Sequence, residues 1–296
     1  MAVGPILITG GSGQIGGALV RRAQAEGVAF FAPDRQSLDL TDSAAIEAAV
    51  GRSPWSAVIN CAAYTAVDRA ETEAELAHVI NAEAPAHFAQ ATQRRGIPLI
   101  HVSTDYVFDG SKDTAYEEGD PVRPVSVYGR TKEAGEAAVR AIHSNHAIIR
   151  TAWVLSAAGA NFLNTVLRLA AERPELKVVN DQIGCPSSAD DIAVALLGVT
   201  AGLRERSGTW HVVNAGETSW HGLATHIFAQ IAQRGLATPK LTAIPTSDYP
   251  TPAARPANSR LATAALAHDF DIMLRPWQKA VDAILAERLG PNSTPR

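Results

Sequence analysis

The chain has 296 residues, 46% of them hydrophobic, with a formal net charge of −4, which suits one large domain or two smaller ones around a sizeable core. Acidic and basic residues are interspersed, so no basic block marks a nucleic-acid face and no acidic tail marks disorder. Two distant cysteines, Cys61 and Cys185, give neither a disulfide framework nor a zinc motif, and with no signal peptide or membrane-length apolar run the expected location is the cytoplasm.

The first element is a short apolar run, Ile6-Leu7-Ile8, followed by Thr9-Gly10-Gly11-Ser12-Gly13-Gln14-Ile15-Gly16 and a helical pattern from Ala18. This reads as strand, tight glycine turn and helix. Gly10 permits a sharp turn, Gly13 a close approach of backbone to phosphate, and Gly16 close packing of helix on strand. The helix N-terminus then offers free N–H groups to a pyrophosphate, with Gln14 and Ile15 in its first turn. A second strand is expected over 28–32, ending at Pro33-Asp34-Arg35. An acidic residue here accepts from an adenosine 2′-hydroxyl and an arginine accommodates a 2′-phosphate. Asp34 and Arg35 offer both, so NAD and NADP remain open. Asp39, beside Leu40, is either an adenine contact or a polar turn residue, and a helix follows over 43–50.

A third strand, 57–60, leads into Cys61-Ala62-Ala63-Tyr64-Thr65-Ala66-Val67-Asp68, whose small residues would let a flat cofactor pass near the backbone. One long helical segment is expected over 71–95, bent by Pro85. The fourth strand, 98–103, is followed by Thr104-Asp105 and a long polar loop, 106–124. The helix expected over 125–142 carries Tyr128 and Lys132 four residues apart, hence on one face. A nearby ammonium favours a phenolate and lowers the tyrosine pKa, so such a pair can run acid–base chemistry beside a nicotinamide. The alternative is two surface residues on an amphipathic helix.

After a strand at 146–150 and Thr151-Ala152-Trp153 the alternation loosens. Helices are expected over 161–171, 189–203, 219–234 and 276–289, and strands over 176–179, 209–213 and 241–244. Residues 181–186 read as a turn, and 245–256 as irregular, leading into Arg255-Pro256-Ala257-Asn258-Ser259-Arg260. The alternation implies an α/β fold, a Rossmann-type doubly wound parallel sheet with a smaller C-terminal substrate-binding lobe. Residues 1–150 would be mainly the dinucleotide-binding domain, 151–290 mainly the substrate lobe, interleaved with the first, and 291–296 a frayed tail.

In order and context these motifs resemble the extended short-chain dehydrogenase/reductase superfamily, and within it the dTDP-4-dehydrorhamnose reductase family. The pieces that carry the likeness are the glycine turn, residues 62–68, Ser103 to Gly110, Tyr128-Gly129-Arg130-Thr131-Lys132, Arg150 to Trp153, Asp181 to Pro186 and Arg255 to Leu261. The resemblance implies reduction of the C4 ketone of dTDP-4-dehydro-L-rhamnose to dTDP-L-rhamnose with NADPH or NADH. It implies that Tyr128 delivers the proton, that Lys132 lowers its pKa and holds the nicotinamide ribose, and that Thr104 hydrogen-bonds the developing oxyanion. Asp105 and Trp153 would contact the sugar, and Arg255 and Arg260 would meet the pyrophosphate or stand as loop arginines.

The chain departs from the family in two places. Ser187 follows Pro186 where threonine is common, which retains a hydroxyl. Some members form magnesium-linked dimers through glutamates, one near the glycine turn, and Gln14-Ile15-Gly16-Gly17 has no such carboxylate. No metal is therefore expected, and the assembly is a monomer or homodimer. A dehydratase would place a glutamate after the Thr-Asp pair, where this chain has Tyr106. An epimerase, a reductase forming dTDP-6-deoxy-L-talose, or a non-catalytic subunit like that of methionine adenosyltransferase are the remaining readings.

Overall fold

The computed structural model describes residues 4–203 and 207–290; the expected frayed tail, 291–296, lies outside the described residues. β1 (Ile6–Thr9), buried throughout, runs into the Gly10 turn and α1 (Gln14–Ala25). β2 (Phe30–Phe31), α2 (Ser43–Gly51) and β3 (Ala57–Asn60) follow, with Asp42 capping α2 by accepting the Ala44 N–H at 2.8 Å. Next come α3 (Val67–Ala70), α4 (Ala74–His78), a π turn over Val79–Glu83 and α5 (Ala84–Gln93). β4 (Leu99–Thr104) and β5 (His146–Thr151) are buried along their whole length, and α6 (Val127–Ile142) connects them.

The remaining elements are β6 (Val154–Leu155), α7 (Phe162–Glu172), β7 (Glu175–Val179), β8 (Ile183–Gly184), β9 (Ser187–Ser188) and α8 (Ala189–Gly202). Then come β10 (Gly208–His211), β11 (Thr218–Ser219), α9 (Trp220–Ala232), β12 (Lys240–Ile244), β13 (Asn258–Ser259), α10 (Ala264–Phe270) and α11 (Trp277–Leu289).

Six strands form a parallel sheet in the order β10-β5-β4-β3-β1-β2. The order reverses between β1 and β3, which opens a crevice at their carboxyl ends, where a doubly wound sheet binds its ligand. α1 and α8 cover one face through Leu19, Ile192 and Leu196; α2, α5 and α6 cover the other through Ile46, Phe88 and Val139. A third cluster joins α7, α9 and α11 around Leu163, Ile227 and Ile284. β10 and α8 come from the second half of the chain yet complete the central sheet and one of its covering layers.

The structure corrects several expected elements. The second strand shrinks to two paired residues. The helix expected over 71–95 starts later and is broken by the π turn. Pro85 has no N–H to close the α-helical bond to the Asn81 carbonyl, and the wider turn absorbs that loss. The freed carbonyl is tightly covered: a Cβ at Gly135 would lie 2.1 Å from it. α10 falls where no helix was expected. The turn at 181–186 contains β8, which pairs with β11 and β13 in a small separate sheet.

Candidate active site

The glycine turn is built as the sequence predicts. Gly10 has φ +71°, and a Cβ there would lie 2.7 Å from the Ala62 nitrogen. A Cβ at Gly16 would lie 2.1 Å from the Gly10 carbonyl, which accepts the Gly13 N–H at 2.9 Å. Gly13 is the N-cap of α1 and offers it no side-chain cap, so the first N–H groups of the helix are left to an anion. Backbone this close, with uncapped donors at a helix start, fits a dinucleotide pyrophosphate. Ile15 packs into the core beneath. The Gln14 side chain points away from that role. Its Oε1 accepts from Ser156 Oγ at 2.7 Å and Asn161 Nδ2 at 2.9 Å, tying the turn to the second half of the chain.

Beyond β2, the carboxylates of Asp34 and Asp39 close turns. Asp34 Oδ1 accepts the Ser37 N–H at 2.8 Å. Asp39 Oδ1 accepts both the N–H and the hydroxyl of Thr41 at 2.9 Å. Arg35 is exposed between them, and Leu40 is half-buried. On the other side of β1, Ala62 and Ala63 are half-buried and Thr65 is exposed. The Tyr64 backbone is clamped by the Asn81 side chain, at 2.8 Å from its N–H and 3.0 Å from its carbonyl, and its hydroxyl donates to Glu73 at 2.6 Å.

Thr104, Asp105, Tyr128 and Lys132 converge at the carboxyl end of β4 and the first turns of α6. Ser126 caps α6 by accepting the Gly129 N–H at 3.1 Å, and Gly129 lets the helix start lie against the Tyr106 carbonyl. Burial pushes the Tyr128 hydroxyl up to about 12; the Thr104 hydrogen bond opposes the rise and Asp105 adds to it. Thr104 Oγ1 donates in turn to Asp105 Oδ1 at 2.9 Å. Burial raises the Asp105 carboxyl to about 6 against the hydroxyls of Ser259 and Thr104, and its Oδ2 makes no hydrogen bond. The expected lowering of the Tyr128 pKa by Lys132 is not realised in this arrangement. Burial dominates at the phenol, and Lys132 Nζ donates instead to the Val102 carbonyl at 2.8 Å. Lys132 is itself lowered to about 8 by burial, against the Glu136 carboxylate.

Trp153 stands at the exit of β5 with φ +46°. Its ring stacks on Trp220 at 3.4 Å between centroids, and a Cβ at Gly184 would lie 2.4 Å from it, so the glycine makes room for the indole. Arg255 and Arg260 have protein partners. Arg255 binds the Asp68 carboxylate at 2.8 and 3.0 Å. Arg260 reaches Glu217 at 3.1 Å, Asn258 Oδ1 at 2.8 Å and the Asp113 carbonyl at 2.5 Å. Among the described residues no group of three or more His, Cys, Asp or Glu side chains is placed to hold a metal, and no helix is long and apolar enough to cross a membrane.

Sequence reading assigns no role to four buried polar residues behind the site. Asn60 and His101 are paired neighbours on β3 and β4. Asn81 holds the Tyr64 backbone and donates to Thr131 Oγ1 at 3.1 Å. Glu136 binds Arg150 at 2.7 and 2.9 Å. For Asn60 and His101 the available signal was a polar residue inside a strand buried on both faces, which must be hydrogen-bonded to be tolerated; Asn81 and Glu136, on helical turns, gave no such signal.

Residues 4–289 match the RmlD substrate binding domain family. A dTDP-4-dehydrorhamnose reductase of Burkholderia thailandensis is 43% identical over 96% of this chain and 99% of its own length. That of Salmonella typhimurium is 39% identical over 95% and 97%. A dTDP-4-dehydrorhamnose reductase structure from Bacillus anthracis, in complex with NADP, is 33% identical and superposes with a TM-score of 0.91 over 96% of this chain and 99% of that one.

Proposed function

The chain belongs to the dTDP-4-dehydrorhamnose reductase family, and on that premise we propose that it reduces the C4 ketone of dTDP-4-dehydro-L-rhamnose to dTDP-L-rhamnose with NADPH or NADH. The observation that carries the reading is the meeting of Thr104, Tyr128 and Lys132 at the end of β4, beside a turn fit for a dinucleotide. Gly10, Gly13 and Gly16, with the backbone of Gln14 and Ile15, would hold the pyrophosphate. Ala62, Ala63, Tyr64 and Thr65 would flank the cofactor, and Lys132 and Tyr128 would meet the nicotinamide ribose. Asp34, Asp39 and Leu40 would border the adenosine. The two carboxylates are engaged in turns and Arg35 is exposed, which supports a place for a 2′-phosphate and a preference for NADPH. The cofactor's contribution is hydride donation.

The chain's own groups supply the proton and its control. Tyr128 faces the Thr104 hydroxyl, which donates to Asp105. A ketone oxygen entering the site takes these two donors from their protein partners. Tyr128 protonates it as charge develops, and Thr104 stabilises that charge. A phenol held near 12 keeps its proton until the substrate oxygen calls for it. Asp105 and Trp153 would orient the sugar, and residues 151–290 would supply most of the substrate lobe. The protein would act in the cytoplasm as a monomer or homodimer, without nucleic acid or a required metal.

The test is NAD(P)H consumption with dTDP-4-dehydro-L-rhamnose generated in place, with the product sugar identified by NMR. Formation of dTDP-L-rhamnose supports the reading; a talose product or no consumption rejects it. Tyr128→Phe is expected to lower kcat by about 10²–10⁴-fold while still binding NADP. Retention of most of the turnover would remove Tyr128 from the role of acid.

A further inference from the structure

The small sheet of β11, β8 and β13 gathers the groups around Trp153 and Asp105. β8 pairs with β11 on one side and with β13 on the other. On β8, Gly184 leaves the space that a side chain would take from the Trp153 indole. Its register partner on β13, Ser259, hydrogen-bonds the Asp105 carboxylate. Trp220 opens α9 directly after β11 and lays its indole on that of Trp153. Gln182, the residue before β8, accepts the Trp220 Nε1–H at 3.1 Å. The two residues assigned to the sugar are thus set against one frame.

The tryptophan stack is an enforced one. Aromatic pairs prefer offset or edge-on arrangements with centroids about 4.5–7 Å apart. Here the centroids are 3.4 Å apart and the planes 6° from parallel, which leaves almost no sideways offset. Trp153 also has φ +46°, an outlier for a bulky residue that its surroundings must impose. The tether that imposes it is buried and fixed in orientation. Gln182 is 6% exposed. An indole N–H only donates, so the Gln182 oxygen faces Trp220 and its NH₂ faces Thr246 Oγ1, at 3.1 Å. Thr246 Oγ1 donates in turn to Asp181 Oδ1 at 2.6 Å. Phe162, at the start of α7, closes the Trp220 ring from another side, at 4.7 Å between centroids.

We propose that Trp220 is a positioning residue for the reduction proposed above: held by Gln182 and lying flat on Trp153, it fixes the plane of the indole against which the sugar rests. The inference rests on the assignment of Trp153 to the sugar. Trp153 is half-buried and borders both the lobe cluster of α7, α9 and α11 and a cluster holding Val107 and Phe108, just past the end of β4. A tilt of its ring therefore changes the angle at which the C4 ketone meets Tyr128 and Thr104. Hydride and proton must reach neighbouring atoms of one carbonyl from fixed directions, so a small misplacement costs rate rather than affinity. Trp220 needs no contact with the sugar to do this.

The test is a double-mutant cycle in kcat, with circular dichroism as a second readout. Two indoles stacked face to face couple their transitions and give paired positive and negative bands in the far ultraviolet. Trp153 and Trp220 are the one such tryptophan pair among the described residues. The wild type should show the paired bands and Trp220→Leu should lose them. In Trp220→Leu kcat should fall by about 10²-fold, with the Kd of NADP and the inhibition constant of dTDP unchanged. Trp220→Phe, which keeps a flat ring, should recover most of the turnover. Trp153→Leu and Trp220→Leu together should cost no more than Trp153→Leu alone, because one acts through the other. Losses that multiply overturn the proposal, as does a wild type without the paired bands. So does a folded Trp220→Leu with a lower Tm and the wild-type kcat, the behaviour of a residue that only packs the lobe. If Trp220→Leu does not fold, Gln182→Leu decides: it keeps both indoles and releases the tether, so weakened bands and a lower kcat are expected and unchanged values overturn the proposal. Absence of reductase turnover in the wild type would reject the proposed function, while the bands and their response to Gln182→Leu would still judge whether Trp220 holds Trp153.

Discussion

Two carboxylates a few residues from the reacting groups are equally buried and behave oppositely. Glu136 is fully enclosed, at 0% exposure, and Asp105 is 3% exposed. Burial works against the charge at both. At Glu136 the Arg150 and Arg140 guanidinium groups overcome it and hold the carboxyl below the usual range. At Asp105 only uncharged groups, the hydroxyls of Ser259 and Thr104 and two backbone N–H groups, oppose it, one oxygen is left without a partner, and the carboxyl rises to about 6. Glu136 lies on α6 behind the reacting groups, with both carboxylate oxygens held by guanidinium groups. Asp105 lies in front, where an unused acceptor remains for something that enters. A buried charge that is satisfied holds the frame, and one that is not holds a place for a ligand.

The sharpest break of this contrast is Glu136→Gln. It leaves Arg150, 2% exposed, as a buried cation without its anion. Loss of one partner of such a pair costs about 3–5 kcal/mol. A matching fall in Tm is expected, along with a further lowering of the Lys132 pKa, because Glu136 is the charge that raises it. A change in stability under about 1 kcal/mol would mean that the pair is not the anchor of α6.

The difference between the two carboxylates was only half legible in the sequence. The glycine turn, the parallel sheet and the Tyr128–Lys132 face follow from local spacing, because φ at Gly10 and the four-residue helical repeat are properties of neighbouring residues. Thr104 and Asp105 were found by their place at a strand end. Glu136 was not, because on α6 it reads as one more polar helix residue, and only the arrival of Arg150 from β5 shows that it is buried. His101 and Asn60 were passed over as strand residues for the same reason: their partners come from neighbouring strands. Arg255 and Arg260 show the same limit from the other side. Their chemistry suits a pyrophosphate, but the residues that engage them, Asp68 and Glu217, are distant in sequence and could not be paired with them from spacing.

Asp105→Asn tests the other carboxylate with the opposite sign. The folded pKa of Asp105 lies above the ordinary value of 3.8, so between roughly pH 4 and pH 6 the native state holds a proton that the unfolded chain has released. Stability from this group is complete below that window and is lost as pH rises through it. A proton held about a hundredfold more tightly in the native state corresponds to about 3 kcal/mol at most. The asparagine variant should thus match the wild type near pH 4 and exceed it by up to about 3 kcal/mol near pH 7, as followed by urea midpoints across pH. It should also lose activity, since the acceptor reserved for the sugar becomes an amide. A pH-independent difference would show that Asp105 titrates normally and would erase the contrast with Glu136.

The smallest effect concerns Asp68 and Arg255, a pair intermediate between these extremes, with side chains 42% and 23% exposed. A half-exposed ion pair contributes about 1 kcal/mol or less, so neither Asp68→Asn nor Arg255→Ala should move Tm far. Substrate KM separates the two roles open to the arginine. If Arg255 exchanges Asp68 for the pyrophosphate, removing the arginine forfeits a charge-assisted hydrogen bond of about 1.5–3 kcal/mol and KM rises by about tenfold or more. Asp68→Asn removes the competing anion and lowers KM in the same assay. If the pair is only a strut between α3 and the 253–255 segment, the two variants lose the same small stability and KM stays where it is in both. Opposite movements of KM from two halves of one ion pair are what a strut cannot produce.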